Sequence, residues 1–158
     1  MDIVYFAPDS ESANDRLLHA LQKQFSDEKV EVCGKSEQLK TRLRTHHGDE
    51  SYAVVCVATH EEVLIDLYFM QHLLRVTQNI LILPDHKHET IALGYRIKPD
   101  FQFYTDSPPS DVTVAAEDLL KKRRRLISMK TIRSRKHEVE LENSPFSINV
   151  DHDEVSNF

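Results

Sequence analysis

Three aspartates, Asp9, Asp85 and Asp106, each stand two or three residues beyond a short apolar run. Carboxylates gathered at one place bind a hard divalent cation through oxygen. The same residues at the same spacing also cap turns and helices, because their side-chain oxygens accept free backbone N–H groups. Asp9 and Asp85 are well placed for that, and capping is the preferred reading. His46-His47 and His86-Lys87-His88 are the only close histidine groups among nine, and neither has a Cys or carboxylate set at ligand spacing. They read as solvated side chains with a collective pH response near neutrality. Cys33 precedes Lys35 and a helix start near Ser36, which would suit a nucleophile only if its pKa were lowered. Cys33 and Cys56 both lie in apolar runs, so the expectation is two small, buried, reduced thiols in a cytoplasmic protein. Neither a metal nor a cofactor is expected.

A second group of residues is electrostatic. Residues 121–136 hold nine bases (Lys121, Lys122, Arg123, Arg124, Arg125, Lys130, Arg133, Arg135 and Lys136) and no acid. Residues 1–120 hold 11 Lys/Arg against 20 Asp/Glu, and residues 137–158 hold six acids and no Lys or Arg. The net charge of −6 therefore hides an acidic domain, a basic segment and an acidic tail. The basic run admits three readings: it binds nucleic-acid phosphate, it docks an acidic protein surface, or it is a solvated helix end with cations at the C-terminal dipole. No helix-turn-helix follows it and no aromatic residue interrupts it, so sequence-specific base reading is not expected.

These residues need elements to hold them, and the first 127 residues alternate strand and helix. Apolar runs begin near 2, 29, 52, 79 and 101, at intervals of 27, 23, 27 and 22 residues. Each interval has room for a strand and a crossover helix. The run 52–58 is continuous rather than alternating, as in a central parallel strand covered on both faces. Between the runs, apolar residues recur at three- and four-residue steps: Ala13, Leu17, Leu18, Leu21 and Phe25; Leu39 and Leu43; Val63, Leu67, Met70 and Leu74; Val112, Ala115, Ala116, Leu119 and Leu120. The spacing predicts helices from about Glu11 (capped by Asp9 or Ser10), from Ser36, over 60–76, over 86–96, and from Asp111 with Ser110 as its cap. Phe101 and Phe103 share one side of the fifth strand and are expected in the core, with Tyr104 exposed on the other. The architecture is α/β, a doubly wound five-stranded parallel sheet over 1–127. Residues 128–158 form a basic-then-acidic extension. His137–Glu142 and Phe146–Asp151 alternate around Asn143-Ser144-Pro145, as a weak hairpin or as a flexible tail.

Five βα units in about 120 residues, with a long fifth helix ending in a basic stretch, resemble the receiver domain of bacterial two-component response regulators. The resemblance covers residues 1–127 and implies strand order 2-1-3-4-5, with the functional crevice beyond the carboxyl ends of the first and third strands. The family sets an acidic pair after the first strand, where this chain reads Ala7-Pro8 and then Asp9. It sets the phospho-accepting aspartate at the end of the third strand, here Val57-Ala58-Thr59. A Ser or Thr follows its fourth strand, here Leu83-Pro84-Asp85, and a lysine ends its fifth, here Tyr104-Thr105-Asp106. Aspartyl phosphorylation needs a carboxylate nucleophile, a cation and a lysine, so the chain looks like a degenerate pseudo-receiver.

The expected function is a non-enzymatic signalling or scaffold module. It would meet a protein partner, or a second copy, through the face of the fourth helix, fifth strand and fifth helix. Candidate contact residues are Tyr95, Tyr104, Lys121, Arg124 and Arg125. The alternative is a transcription-associated regulator whose basic segment contacts nucleic acid. An enzyme or ligand-binding domain using the edge carboxylates fits least, because three glycines leave no Gly-rich phosphate loop and no nucleophile–base pair is evident. No stretch approaches the ~18 apolar residues of a membrane span, and Met1-Asp2-Ile3 does not open a secretory signal.

Overall fold

The computed structural model describes residues 2–8, 12–45 and 52–142. Asp9, Ser10, His46, His47 and the segment 143–158 therefore lie outside the described residues. In chain order the elements are β1 (Asp2–Phe6), α1 (Ser12–Gln24), β2 (Lys29–Cys33), α2 (Ser36–Thr45), β3 (Tyr52–Val57), α3 (Glu61–Phe69), α4 (Gln71–Leu74), β4 (Gln78–Leu83), α5 (His88–Ile97), β5 (Phe101–Tyr104) and α6 (Pro109–Glu142). The strands form one parallel sheet of order β2-β1-β3-β4-β5, the order the resemblance implied. Two compact units divide the chain, Met1–Arg123 and Arg124–Phe158; α6 supplies its first residues to one and its later residues to the other.

Strand periodicity separates two cores. On one face Val4, Phe6, Val54, Cys56, Leu81 and Leu83 pack with Leu39, Leu43, Leu64, Leu67 and Leu74. On the other face Ile3, Tyr5, Val55, Val57, Ile80 and Ile82 pack with Leu17, Leu21, Val112, Ala116 and Leu119. All six residues of β3 are buried, because this strand is central and covered on both sides. Phe6 stands opposite Cys33 on one neighbour and Cys56 on the other. Both thiols are buried and unbridged.

Several local expectations change. The helix expected over 60–76 is two pieces: Met70, at φ −100° and ψ 18°, ends α3 and starts α4. Met70, Leu73 and Leu74 around the break are all buried in the core. α5 begins at His88 rather than His86, because the Asp85 Oδ1 accepts the Lys87 N–H at 2.9 Å and forms a turn first. It ends at Lys98 in the left-handed region, φ 56° and ψ 57°, where the Lys98 N–H reaches Tyr95 O at 3.2 Å. Ser36 opens α2 but its hydroxyl donates to Asp66 Oδ2 at 3.3 Å; Gln38 Oε1 instead accepts the Gly34 N–H at 3.0 Å. Ser110 does not precede α6, which already starts at Pro109, a residue suited to the first helical position.

His137–Glu142, expected as one arm of a weak hairpin or as flexible tail, is helix. Alternation of Glu with Val and Leu satisfies a helix too, and extending α6 adds residues without a new nucleation cost. Its would-be partner, 146–151, lies outside the described residues.

Candidate functional site

In a parallel sheet all strand ends of one polarity meet at one edge. Here the carboxyl edge carries Ala7 and Pro8 after β1, Ala58 and Thr59 after β3, Pro84 after β4 and Thr105 after β5. Backbone bonds extend the sheet past the strands: Ala7 N–H to Cys33 O at 3.3 Å, Ala58 N–H to Ile82 O at 2.9 Å, and Thr105 N–H to Leu83 O at 3.0 Å. Both threonine hydroxyls point to neighbouring loop carbonyls. Thr59 Oγ1 donates to Pro8 O at 3.4 Å and Thr105 Oγ1 donates to Pro84 O at 3.2 Å. Ala58 is fully buried. These residues close the edge with their own hydrogen bonds, and none of them bears a charge.

The edge aspartates are engaged separately. Asp85 caps the turn into α5, and its carboxyl is held below the ordinary range by hydrogen bonds from Thr90 and from the Lys87 backbone. Asp106 sits on the other connection, where both carboxylate oxygens lie 3.1 Å from His86 Nε2. The His86 ring in turn stacks on Tyr104. This trio was not legible in the sequence: twenty residues separate His86 from Asp106, and no local pattern signals the contact. Asp9 lies outside the described residues. Among the described residues, no three His, Cys, Asp or Glu side chains cluster as a metal set.

Cys33 and Cys56 line one core. Burial pushes both thiols above their ordinary range, with Glu31 adding at Cys33 and the neighbouring thiol at Cys56. A raised pKa is the opposite of nucleophile activation. Beside Cys33, the nearly buried Arg42 bonds Glu31 at 2.8 Å, reaches Asp2 at 3.6 Å and lies 5.6 Å from the Tyr52 ring centroid. Sequence reasoning missed this cluster, whose members come from β1, β2, α2 and β3.

The expected contact face, in these labels α5–β5–α6, is partly reordered. Tyr95 is 68% exposed. Tyr104, expected to be exposed, is half-buried because His86 covers it. Phe101, expected in the core, is 37% exposed at the start of a four-residue edge strand, while Phe103 is half-buried in the second core. Lys121 bonds Glu117 one turn earlier at 2.8 Å. Arg124 and Arg125 are exposed and belong to the second unit.

No family model and no curated protein matches the chain. Solved structures do. A CheY-like response regulator receiver domain from Methanospirillum hungatei JF-1 is similar, with 12% identity, 78% of this chain and 96% of that chain covered, and a TM-score of 0.60. A LuxR family DNA-binding response regulator from Silicibacter pomeroyi matches at 14% identity over 77% of this chain and 92% of that one, TM-score 0.56. An adenylate cyclase structure from Rhodopirellula baltica matches at 11% identity over 84% and 96%, TM-score 0.58. The chain has the CheY-like receiver fold. At these identities the likeness is one of fold.

Proposed function

We propose that the chain is a non-enzymatic signalling and scaffold module, a pseudo-receiver acting in the cytoplasm through protein–protein contact and independent of phosphorylation. One observation carries this reading. The end of β3 reads Val57-Ala58-Thr59, with Ala58 fully buried and the Thr59 hydroxyl turned onto Pro8 O. Phosphoryl transfer to this edge would need a carboxylate nucleophile with a bound cation beside it. The edge offers an alanine, a threonine with its proton committed, and a proline in those places. Tyr95 on α5, with β5 and the first turns of α6, is the surface assigned to the partner or second copy. Aromatic residues are enriched in such contacts. The full chain exposed to acetyl phosphate and magnesium should gain no phosphoryl group by intact mass and keep its amide spectrum. A stoichiometric adduct would end the reading.

A second reading rests on the later part of α6, where Arg124, Arg125, Lys130, Arg133, Arg135 and Lys136 are all exposed. Such a helix suits nucleic-acid phosphate, and it makes the alternative a transcription-associated regulator. Its test is salt dependence, given below.

A further inference from the structure

Beside the closed edge, between α1 and the β5–α6 connection, lies a cleft of about 250 Å³. Leu17, Ile82 and Val112 line it and are almost fully buried, and Pro108 and Pro109 complete its apolar wall. Its polar lining is Arg16, Tyr104 (its ring stacked on His86), Thr105, Asp106 and Ser107. It borders the carboxyl edge and shares Thr105 with it, but Ala7, Pro8, Ala58 and Thr59 do not line it.

The polar groups differ in what they have left to give. Thr105 spends its proton on Pro84 O. Ser107 Oγ accepts the Tyr104 N–H at 2.9 Å, and its own proton has no acceptor among the described residues. Asp106 faces His86. Arg16 is exposed and has no hydrogen-bond or ion-pair partner among the described residues. An uncommitted guanidinium and a free hydroxyl proton beside an apolar pocket match a carboxylate attached to a hydrocarbon body. The Asp106 carboxylate at the same mouth repels a second negative charge, which disfavours phosphate dianions. A water's share of liquid volume is about 30 Å³, so the cleft holds roughly eight such groups, a ligand of about eight or nine non-hydrogen atoms.

We propose that this cleft is a binding site for a small monocarboxylate with an apolar body, its carboxylate on Arg16 and Ser107 and its hydrocarbon part against Leu17, Ile82 and Val112. The test is a titration of the ¹⁵N-labelled full chain with benzoate, with benzyl alcohol and inorganic phosphate as matched probes. Benzoate should give saturable shifts at the amides of Arg16, Leu17, Thr105, Ser107 and Val112, with a Kd on the order of 1 mM. Benzyl alcohol and phosphate should bind at least tenfold more weakly. Arg16→Gln should weaken benzoate at least tenfold, Arg16→Lys should lose less, and Arg96→Gln on α5 should leave it unchanged. Shifts that do not saturate, phosphate binding equal to benzoate, or unchanged affinity in a folded Arg16→Gln variant would each overturn the proposal.

Discussion

The His86 ring lies nearly flat on the Tyr104 ring, centroids 3.8 Å apart and planes 19° apart. The same imidazole bonds Asp106 through Nε2 at 3.1 Å. Two connections at the carboxyl edge, β4–α5 and β5–α6, are thus tied by one side chain. Tyr104 is consequently presented as part of a stacked pair, not as a lone ring.

The stack predicts a measurable coupling. Aromatic pairs contribute roughly 0.5–1.5 kcal/mol beyond their buried area, and this one, half open to water, belongs at the low end. A double-mutant cycle of His86→Ala with Tyr104→Leu should give about 0.5 kcal/mol by chemical denaturation. Additive single effects would mean the stack contributes nothing.

Tyr95→Glu tests the contact face directly. At 68% exposure its replacement should leave the unfolding midpoint within about 0.5 kcal/mol of the parent. It should also reduce self-association, or recovery of a purified partner, by at least tenfold. Equal association in parent and variant would remove α5 from the face.

Lys98 gives a backbone prediction. It is the one non-glycine residue with positive φ among the described residues, and the left-handed region costs an L-residue roughly 1–2 kcal/mol. Lys98→Gly should stabilise the chain by about 0.5–1 kcal/mol after the added unfolded-state freedom of glycine is subtracted. Urea denaturation at neutral pH measures it.

Buried acids set the alkaline limit. Cys33 and Cys56 have thiol pKa values raised above 9.0, and Tyr5 has a phenol raised above 10.0, in each case first by burial. When the folded pKa lies above the unfolded one, the folded state keeps its proton after the unfolded state has lost it. Stability is therefore fully present below about pH 9 and falls as pH rises beyond it. Cys56→Ala should flatten that fall between pH 9 and 10, and a slope identical to the parent would exclude the thiol as its source. Both thiols should resist alkylation at pH 8 until the chain is unfolded.

The nucleic-acid reading stands or falls on salt. If α6 contacts phosphates, log K should fall linearly with log salt, by about 0.9 per contact on duplex DNA. Replacing Arg123, Arg124 and Arg125 with Gln should then reduce the slope by roughly 2.7. A salt-independent signal, or none, leaves the scaffold reading alone.

Periodicity alone carried most of the fold. The unbroken run 52–58 fits a central strand covered on both faces, and Leu17 with Leu21, like Leu39 with Leu43, recurs at the step of a helix face turned to a core. Strand order is a different matter, because spacing gives five βα units without saying which strands are neighbours; it came from the likeness to receivers. Local alternation also misled where two structures satisfy it. His-Glu-Val-Glu-Leu-Glu fits a strand by period two, yet the helix already running from Pro109 extends through it more cheaply. Phe101 and Phe103 likewise share a strand side, but a short edge strand leaves the first of them 37% exposed.

What the sequence determined by itself is the chemistry at each strand end: Ala7-Pro8, Ala58-Thr59, Leu83-Pro84 and Tyr104-Thr105 are fixed by composition once the strands are placed. Tertiary structure decided who meets whom. His86 on Tyr104 and Asp106, Arg42 among Glu31, Asp2 and Tyr52, and Arg16 and Ser107 on the wall of one cleft all bring together residues from different elements. Such contacts depend on helix–sheet packing and loop closure across tens of residues, and neither a period of two nor one of 3.6 encodes those distances.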